Sequence, residues 1–508
     1  MTGGSARVPR VRTVPGRTDR VVVVGAGLSG LAAALHLRGA GREVTVVERD
    51  AHPGGRAGRI DIDGFRIDTG PTVLTMPDLI DEALGAVGSS VGDVLDLVPL
   101  APAYRAAFAD GTEVDVHTGA EEMAAEVRRV AGPREEAGYL RLRAWLSRLY
   151  EVQMRRFIDA NFDSPLGLLT PDLARLAAAG GFGRLGPAIG RFLADPRLQR
   201  IFSFQALYAG VPPRRAMAAY GVIAYMDTVA GVYFPRGGMR ALGDGLAGAA
   251  AKAGVSFRYN EPVRGLERRG DRITAVLTAH GDRIPCDAVV LTPDLPVSYR
   301  LLGRVPWRAV PLRFSPSAVV LHAGTARAWP RLHHHTISFG AAWDRTFDEI
   351  TRLGRTMSDP SLLITRPTAT DPALAPPGHD LFYVLAPTPN LRTGGPDWRD
   401  AGPRYRDALV RTLEERGLSG LGAAITTERL VTPHDWERQG LAFGTPFATA
   451  HTFAQTGPFR PRNLVSGTAN AVLAGCGTTP GVGLPTVLIS GKLAAARITG
   501  AARPAGSR

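Results

Sequence analysis

The chain has 508 residues, 44% of them hydrophobic, and its mean hydropathy of −0.02 is typical of a globular protein with two or three domains. Its net charge of +13 ordinarily suggests an anionic partner, but Lys252 and Lys492 are the only lysines, and so strong an arginine bias indicates a GC-rich coding sequence. Nucleic acid is a poor candidate partner, because aromatic residues make up only 7% of the chain and no basic stripe alternates with them.

The few cysteines and the apolar runs restrict where the protein can work. Cys286 and Cys476 cannot form a disulfide framework or a metal cluster, which favours a reducing cytoplasm. No uninterrupted apolar run reaches the roughly 18 residues of a membrane-spanning helix, and the N-terminus lacks the apolar core of a signal peptide. Residues 1–19 are rich in glycine, proline and arginine, so they are predicted to form a disordered leader.

Residues 21–50 contain a strand, a glycine-rich turn, a helix and a second strand in the order of a dinucleotide-binding unit. The four valines Val21–Val24 predict a strand that is buried on both faces. A helix follows the turn, and the second strand, Val44–Val47, ends at Glu48, about twenty residues past the glycines. The glycines of the turn have the G-x-G-x-x-G spacing: Gly25, Gly27 and Gly30.

Each residue of this unit has a physical task. Gly25 allows the tight turn, Gly27 lets a pyrophosphate approach the backbone, and Gly30 lets the helix pack closely on the strand. Glu48 stands where an acid binds the ribose. The helix N-terminus faces the phosphates, and the neighbouring residues that complete the predicted site are Leu28, Ser29 and Arg49.

The stretch H-P-G-G-R-A-G-R, His52–Arg59, resembles the second signature of the glutathione-reductase-like FAD proteins, a group that includes amine oxidases and carotenoid desaturases. This resemblance implies that Gly54, Gly55 and Arg56 approach the pyrophosphate and flavin of FAD. The guanidinium of Arg56 offers a fixed charge and a bidentate fork for that purpose. The alternative is that Arg56 is a solvated loop arginine.

Further stretches resemble the bacterial-type phytoene desaturases in matching order. They are Asp68–Thr72, Tyr208–Met239, Phe314–His322, Asp359–Pro389, Thr449–Arg462 and Ala474–Lys492. The first of them implies that Pro71 and Thr72 lie beside the flavin. A run of strands between residues 255 and 291 resembles the meander that completes the FAD domain, and the resemblance places the backbone of Val263 against the adenine.

The C-terminal stretch has a physical interpretation of its own. A short strand precedes the segment Gly477–Gly483, whose glycines let the backbone approach the isoalloxazine ring, and a helix begins at Leu484 with Pro485 in its first turn. The N-terminus of that helix favours the negative charge of a reduced flavin.

Two other patterns resemble binding sites but are rejected. A second G-x-G-x-x-G spacing follows no buried strand and lies among apolar residues at helical spacing, so a nicotinamide domain is not predicted; its glycines are Gly243, Gly245 and Gly248. Three adjacent histidines, residues 333–335, would point to opposite faces of a strand, so no metal site is expected.

These observations predict an α/β protein with a Rossmann-like, glutathione-reductase-like FAD-binding domain and a discontinuous α+β substrate domain inserted into it. The FAD domain is assigned residues 20–80, 236–296 and 450–502. The substrate domain, which would also dock on the membrane, is assigned residues 81–235 and 297–449.

The resemblance implies that FAD takes a hydride from phytoene or a related carotene while a proton leaves the neighbouring carbon, which extends the conjugated polyene. The protein must then hold the chain in an apolar tunnel, exclude water and accept the proton. Asp227 is the one candidate for the proton transfer, since burial could raise the pKa of its carboxyl group. The alternative is that Asp227 only caps a helix or pairs with an arginine. Oxygen or a quinone is the expected electron acceptor.

A carotene dissolves in the bilayer, so an enzyme without a spanning helix is expected to lie on the lipid surface, at the inner face of the cell membrane. The segment Leu166–Leu193 combines apolar residues with arginines and is the candidate docking surface, with Phe182, Leu185 and Ile189 expected to face lipid. The alternative is an amphipathic helix pair that packs on the core. The sequence contains no signal for an oligomeric state.

Three other functions remain open for this fold. A flavin-dependent carotene isomerase or saturase has the same frame with a different redox outcome. A prenyl-protein binding module of the GDP-dissociation-inhibitor kind has the same fold but no longer binds FAD. This chain retains the glycines, Glu48 and Arg56, which argues against such a module. An amine oxidase is disfavoured by the matches at Tyr208–Met239 and Asp359–Pro389.

Overall fold

The computed structural model describes residues 11–500. Its strands are β1 (Arg20–Val24), β2 (Glu43–Val47), β3 (Arg59–Ile62), β4 (Phe65–Asp68), β5 (Leu97–Pro99), β6 (Tyr104–Phe108), β7 (Glu113–Val116), β8 (Tyr233–Pro235), β9 (Ser256–Arg258), β10 (Val263–Arg269), β11 (Arg272–Thr278), β12 (Arg283–Pro285), β13 (Ala288–Leu291), β14 (Ser317–Thr325), β15 (His335–Phe339), β16 (Leu362–Thr365), β17 (Asp380–Thr388), β18 (Ile425–Val431) and β19 (Ala471–Leu473).

The α-helices are α1 (Leu28–Gly39), α2 (Pro77–Gly85), α3 (Val91–Val94), α4 (Ala120–Ala131), α5 (Pro133–Gln153), α6 (Pro171–Ala178), α7 (Leu185–Gly190), α8 (Pro196–Ile201), α9 (Gly221–Thr228), α10 (Arg240–Lys252), α11 (Leu295–Leu301), α12 (Asp344–Asp348), α13 (Trp398–Glu415), α14 (Leu421–Ala424), α15 (Pro433–Arg438) and α16 (Leu484–Thr499). Short 3-10 and π-helical turns connect several of them.

A parallel sheet in the order β19-β13-β1-β2-β9 forms the first layer of the fold. The valines of β1 are buried because β1 is flanked on both sides, with Val22 paired with Val289 on one side and with Thr45 on the other. Helices α1 and α16 pack together on one face of this sheet. A Cβ at Gly491 of α16 would stand 2.3 Å from the Ser29 carbonyl oxygen, so the helices can approach this closely only with glycine at this position.

Strands β10, β11 and β12 form an antiparallel meander, as expected, but the run of strands between residues 255 and 291 does not belong to the meander throughout, because β9 and β13 lie in the parallel sheet. The chain leaves the meander after β12 and enters the parallel sheet as β13. The intervening Asp287 accepts hydrogen bonds from the backbone nitrogen of Arg20 at 2.9 Å and from its guanidinium at 3.0 Å. This contact between distant residues fixes where the chain passes from one sheet to the other.

A seven-stranded sheet in the order β18-β14-β17-β16-β15-β6-β7 forms the second layer. Strands β6 and β7 form a hairpin at one edge of this sheet. All strands of this sheet fall within the two segments assigned to the substrate domain, and all strands of the parallel sheet fall within the three segments assigned to the FAD domain. The domain boundaries themselves stay a prediction.

Part of the predicted leader lies against the fold. Residues 1–10 fall outside the described residues, but Val14 is buried and donates its backbone N–H to the carbonyl of Arg497 at 2.7 Å. Arg497 in turn donates to the carbonyl of Arg12 at 2.7 Å. Residues 11–19 therefore include a segment that packs on α16.

The candidate docking segment folds as a 3-10 turn at Pro165–Leu168 followed by α6 and α7. Leu185 and Ile189 are 1% and 0% exposed, so the expectation that they face lipid was wrong. They pack in the core, in agreement with the alternative of helices that pack on the core. Phe182 is 49% exposed, and Leu166 and Leu169 are 73% exposed. Among residues 11–500, no helix combines the length and the hydropathy needed to cross a bilayer.

Candidate active site

One continuous cavity of about 1100 Å³ extends from the glycine turn after β1 into an apolar chamber. Its first part is lined by the residues of the dinucleotide unit and by the turn before α16. Its second part, called here the apolar chamber, has walls from α9, from the segment around α6 and from the seven-stranded sheet. Residues that represent these walls are Phe157, Leu173, Ile223, Met226, Val320 and Leu385.

Most of the predicted cofactor-binding residues line this cavity. They are Gly25, Gly27, Leu28, Ser29, Glu48, Arg49, Gly54, Gly55, Arg56, Pro71, Thr72, Val263, Gly483, Leu484 and Pro485. Gly30 and Gly477 do not line it. A Cβ at Gly30 would meet the carbonyl oxygen of Gly25 at 2.0 Å, which is the close helix–strand packing expected of this glycine, and a Cβ at Gly477 would meet Leu295 at 2.8 Å.

The glycine turn leaves room for a ligand at the start of α1. A Cβ built on Gly27 would meet only the Cα of Gly55, at 4.0 Å, so the space in front of this backbone is open. Gly27 is the N-cap of α1, and no side chain caps the helix there. Gly25, in contrast, has a φ of +102° and would place a Cβ 2.3 Å from the Thr292 hydroxyl, so the turn itself requires glycine. The uncapped N–H groups and the helix dipole make this a site for an anion.

The two carboxylates at the far end of the dinucleotide part have different partners. Glu48 accepts hydrogen bonds from the backbone nitrogens of Ala26 at 2.6 Å and Asp50 at 2.9 Å, and burial raises its pKa. Glu261 lines the same end of the cavity, and its buried Oε2 has no hydrogen-bond partner within the described part of the chain. An acceptor left free in this position suits a hydroxyl or amino group of a nucleoside.

The loop after Glu48 closes over the glycine turn. Gly54 donates its backbone N–H to the carbonyl of Ala26 at 2.9 Å, and Arg56 reaches across the cavity wall to the Sγ of Cys476 at 3.1 Å and a carboxylate oxygen of Asp294 at 3.9 Å. Arg56 therefore belongs to the wall and is not a freely solvated arginine. The second glycine triplet, which is not a nucleotide site, allows close packing against this loop. A Cβ at Gly243 would stand 2.7 Å from the Cα of Gly54.

The turn before α16 forms the wall opposite this loop. Gly483, the N-cap of α16, has a φ of +124°, which favours glycine, and Leu484 and Pro485 begin the helix as expected. Cys476, Thr479 and Val482 of the same turn line the cavity as well.

Asp227 lies in the apolar chamber on α9 and is 3% exposed. Burial raises its pKa from 3.8 to about 7. The hydroxyl groups of Tyr104 and Tyr208 face the carboxyl group, and its Oδ2 has no hydrogen-bond partner among the described residues. Asp227 is next to last in its helix, so it is not an N-cap, and none of the arginines in residues 11–500 forms an ion pair with it.

Two of the three adjacent histidines have hydrogen-bond partners in the protein. His334 and His335 contact the hydroxyls of Thr370 and Thr365 through their Nδ1 atoms, at 2.7 and 2.9 Å. No group of three or more potential metal ligands occurs within the described part of the chain.

Several wall residues were missed by sequence reasoning. Thr292, Pro293 and Asp294 follow β13, and the rule that ligands bind at the carboxyl ends of parallel strands could have found them. Tyr220, Tyr383, Trp436 and His451 also line the cavity. The first, second and fourth fall in stretches that resemble the desaturases, but nothing in the sequence singled out these positions within them.

Fold and site together define a two-domain dinucleotide-binding protein whose cofactor site opens into an apolar chamber. The family of flavin containing amine oxidoreductases matches residues 28–499. The chain is 70% identical over 490 residues to the phytoene dehydrogenase of Streptomyces griseus, with 96% of each protein covered. It is 36% identical to the zeta-carotene-forming phytoene desaturase of Myxococcus xanthus, covering 94% of this chain and 93% of that protein. It therefore belongs to the flavin containing amine oxidoreductases and, more narrowly, to the phytoene desaturases.

The fold agrees with that membership. A solved oxidoreductase from Methanosarcina mazei superposes with a TM-score of 0.61 at 16% identity, covering 93% of this chain and 99% of that one. The cofactor of the family is FAD, and the residues present fit it. The open space before Gly27, the unpartnered oxygen of Glu261 and a cavity long enough to continue past Arg56 all suit a bound dinucleotide.

Proposed function

We propose that this protein desaturates phytoene or a related carotene, with Asp227 as the acceptor of the proton that leaves the substrate. The observation that carries the proposal is the continuity of the cofactor part of the cavity with an apolar chamber in which Asp227 is buried. A long hydrocarbon offers no polar group for recognition, so burial of apolar surface must supply its affinity.

The cofactor site proposed here consists of the predicted residues that line the cavity. The first turn of α1 would hold the pyrophosphate, Glu48 the ribose, and Arg56 with the turn before α16 the flavin. When bound, FAD supplies the two-electron oxidant for breaking a C–H bond.

The residues of the apolar chamber position the substrate and accept its proton. Its apolar side chains orient the chain and exclude water, which would otherwise solvate developing charge. The carboxylate of Asp227 takes the proton from the carbon next to the oxidised one, and the pair of electrons left behind forms the new double bond. A pKa of about 7 allows this carboxylate both to accept the proton and to release it again.

The chamber opens between aromatic side chains that are themselves exposed. Phe182, Phe453 and Phe459 line the cavity and are 49%, 63% and 40% exposed. The turn that contains Phe459 lies against the 3-10 turn Pro165–Leu168, next to the exposed Leu166 and Leu169. We define these five side chains as the rim. An apolar rim around a chamber for a hydrocarbon suits a surface that rests on lipid.

Replacing Leu166, Leu169 and Phe182 with serine is expected to lower recovery of the protein with liposomes in a flotation experiment by about tenfold or more. Each removed side chain takes away on the order of 1 kcal/mol of apolar contact with the bilayer. The control carries Leu140→Ser and Leu353→Ser, two exposed leucines that do not line the cavity. Equal recovery of the rim variant and the control would exclude the rim as the lipid contact.

The proposed reaction is tested directly with flavin-loaded protein and phytoene in liposomes, with oxygen or a quinone as the acceptor. The expected products are carotenes with more conjugated double bonds, which absorb in the visible and contain fewer hydrogens by mass spectrometry. Isomerised phytoene with an unchanged hydrogen count would replace the desaturase with an isomerase, and oxidation of an amine instead would favour an amine oxidase.

A further inference from the structure

Arg460 is a buried cation that lies behind the cofactor wall. It is 1% exposed, and no role was predicted for it from the sequence. Its donors reach backbone carbonyl oxygens: Nε to Thr478 at 2.9 Å, Nη2 to Cys476 at 2.5 Å and Thr449 at 3.3 Å, and Nη1 to Gln455 at 3.4 Å.

No carboxylate of residues 11–500 forms an ion pair with this guanidinium. The contrast is Arg497, which is equally buried but is paired with Asp163. Burial lowers the pKa of Arg460 to about 10, because carbonyl dipoles replace hydration only in part. A buried charge without a counter-charge is costly, and an anion bound nearby would offset part of that cost.

The position of Arg460 indicates where that anion lies. Cys476 and Thr479, in the turn that Arg460 holds by its carbonyls, line the cavity between Arg56 and the start of α16. A Cβ at Gly481 of this turn would stand 3.4 Å from the Cζ of Arg460 and 2.2 Å from His451. The charge is thus separated from the cavity by little more than one layer of backbone.

The other groups that face Arg460 leave this charge uncompensated. Tyr220 is hydrogen bonded to Thr456 as a neutral phenol, and burial raises its pKa. Burial and Arg460 itself lower the pKa of His451 far below its ordinary value, so the imidazole is neutral. Arg308 adds a second cation, and Cys476 presents its carbonyl oxygen.

We propose that Arg460 stabilises the negative charge that the isoalloxazine ring of FAD gains on reduction, and so raises the midpoint potential of the bound cofactor. Two electrons and one proton taken up by the ring leave it with one negative charge. A fixed cation behind the wall interacts with that charge and not with the neutral oxidised ring. Arg460 is therefore a positioning and electrostatic residue, and the inference rests on the placement of the flavin proposed above.

The test measures two properties of flavin-loaded Arg460→Gln: its midpoint potential, by equilibration with redox dyes, and its affinity for sulfite. Sulfite binds an oxidised flavin more tightly when a cation stabilises the resulting anion. The variant is expected to lose about tenfold or more in the equilibrium constant for reduction, which corresponds to a potential lower by about 30 mV for a two-electron couple, and to bind sulfite at least about tenfold more weakly. Arg460→Lys keeps the charge and is expected to retain most of both values.

The matched control is Arg497→Gln, which removes another buried arginine near the end of α16, about 20 Å along the helix from the cofactor wall. Its potential is expected to equal that of the wild type. If Arg460→Gln retains FAD with an unchanged potential, Arg460 only clamps the turn and the inference is wrong. If neither Arg460 variant retains FAD, the inference is tested on the wild type by titrating its reduced flavin with acid and base. The reduced flavin is expected to stay anionic between pH 5 and 9. Protonation of the reduced flavin within that range would overturn the inference. FAD bound in a different place would instead appear as normal FAD binding by a Gly27→Val variant.

Discussion

Gly27→Val is expected to fold and to lose FAD. The backbone of Gly27 has a φ of −67° and a ψ of 169°, which any residue can adopt, and outside its two chain neighbours no protein atom lies closer than 4.0 Å to the position of a new Cβ. The side chain would therefore occupy the open space in front of the first turn of α1, where a pyrophosphate must approach the backbone. We expect the affinity of the apoprotein for FAD to fall by about a hundredfold or more, since the contacts of two phosphates are lost.

The measurement is the flavin absorbance per protein after purification, followed by titration of apoprotein with FAD. Gly248→Val is the matched control, because Gly248 belongs to the second glycine triplet, has an ordinary φ and has open space at its Cβ position. The control should bind FAD as the wild type does. Retention of full flavin absorbance by the Gly27 variant would show that the pyrophosphate lies elsewhere.

Asp227→Asn is expected to keep FAD and to lose about two to four orders of magnitude in the rate of desaturation, the range that general base catalysis supplies. Asparagine has nearly the same shape as aspartic acid, so the apolar chamber keeps its volume while the proton acceptor disappears. The control is Asp68→Asn. Asp68 is a buried acid whose pKa burial raises to about 6, but it lies off the cavity and accepts from the backbone of Met239 at 2.7 Å, at the start of α10.

The direction of the pH dependence follows from the raised pKa of Asp227. The carboxylate is the proton acceptor, so the rate is expected to rise with pH and to level off above about pH 7. This dependence should be absent in Asp227→Asn and unchanged in Asp68→Asn. A wild-type rate that falls as the pH rises through 7 would make Asp227 an acid and contradict the proposed role.

The free energy of unfolding should fall over the pH range in which the rate of desaturation rises, because both depend on the ionisation of Asp227. The folded-state pKa of Asp227 lies above its ordinary value, so the folded protein binds the proton more tightly, and stability is lost as the pH rises from about 4 to 7. At about 1.4 kcal/mol for each pKa unit, the loss is on the order of 4 kcal/mol at most. Asp227→Asn should remove this part of the pH dependence, measured by denaturant unfolding at pH 5 and pH 8.

The sequence by itself determined the local elements from which the cofactor site is built. Four valines, a glycine triplet and Glu48 lie within one short stretch, so neighbouring residues along the chain dictate the strand, the turn and the helix start. The same holds for the helix that begins at Leu484 with Pro485 in its first turn. Local chemistry is sufficient in these places because each element is completed by residues within a few positions of one another.

Only the tertiary structure decided the features that depend on contacts between distant segments. Leu185 and Phe182 are similar in hydrophobicity and three residues apart, yet one is in the core and the other at the rim, because what covers each of them comes from elsewhere in the chain. The burial of Asp227 depends on the sheet and helices that surround the apolar chamber, and Arg460 meets carbonyl groups up to eighteen residues away. Burial and the pKa shifts that follow from it are properties of packing, which no local pattern in a single sequence records.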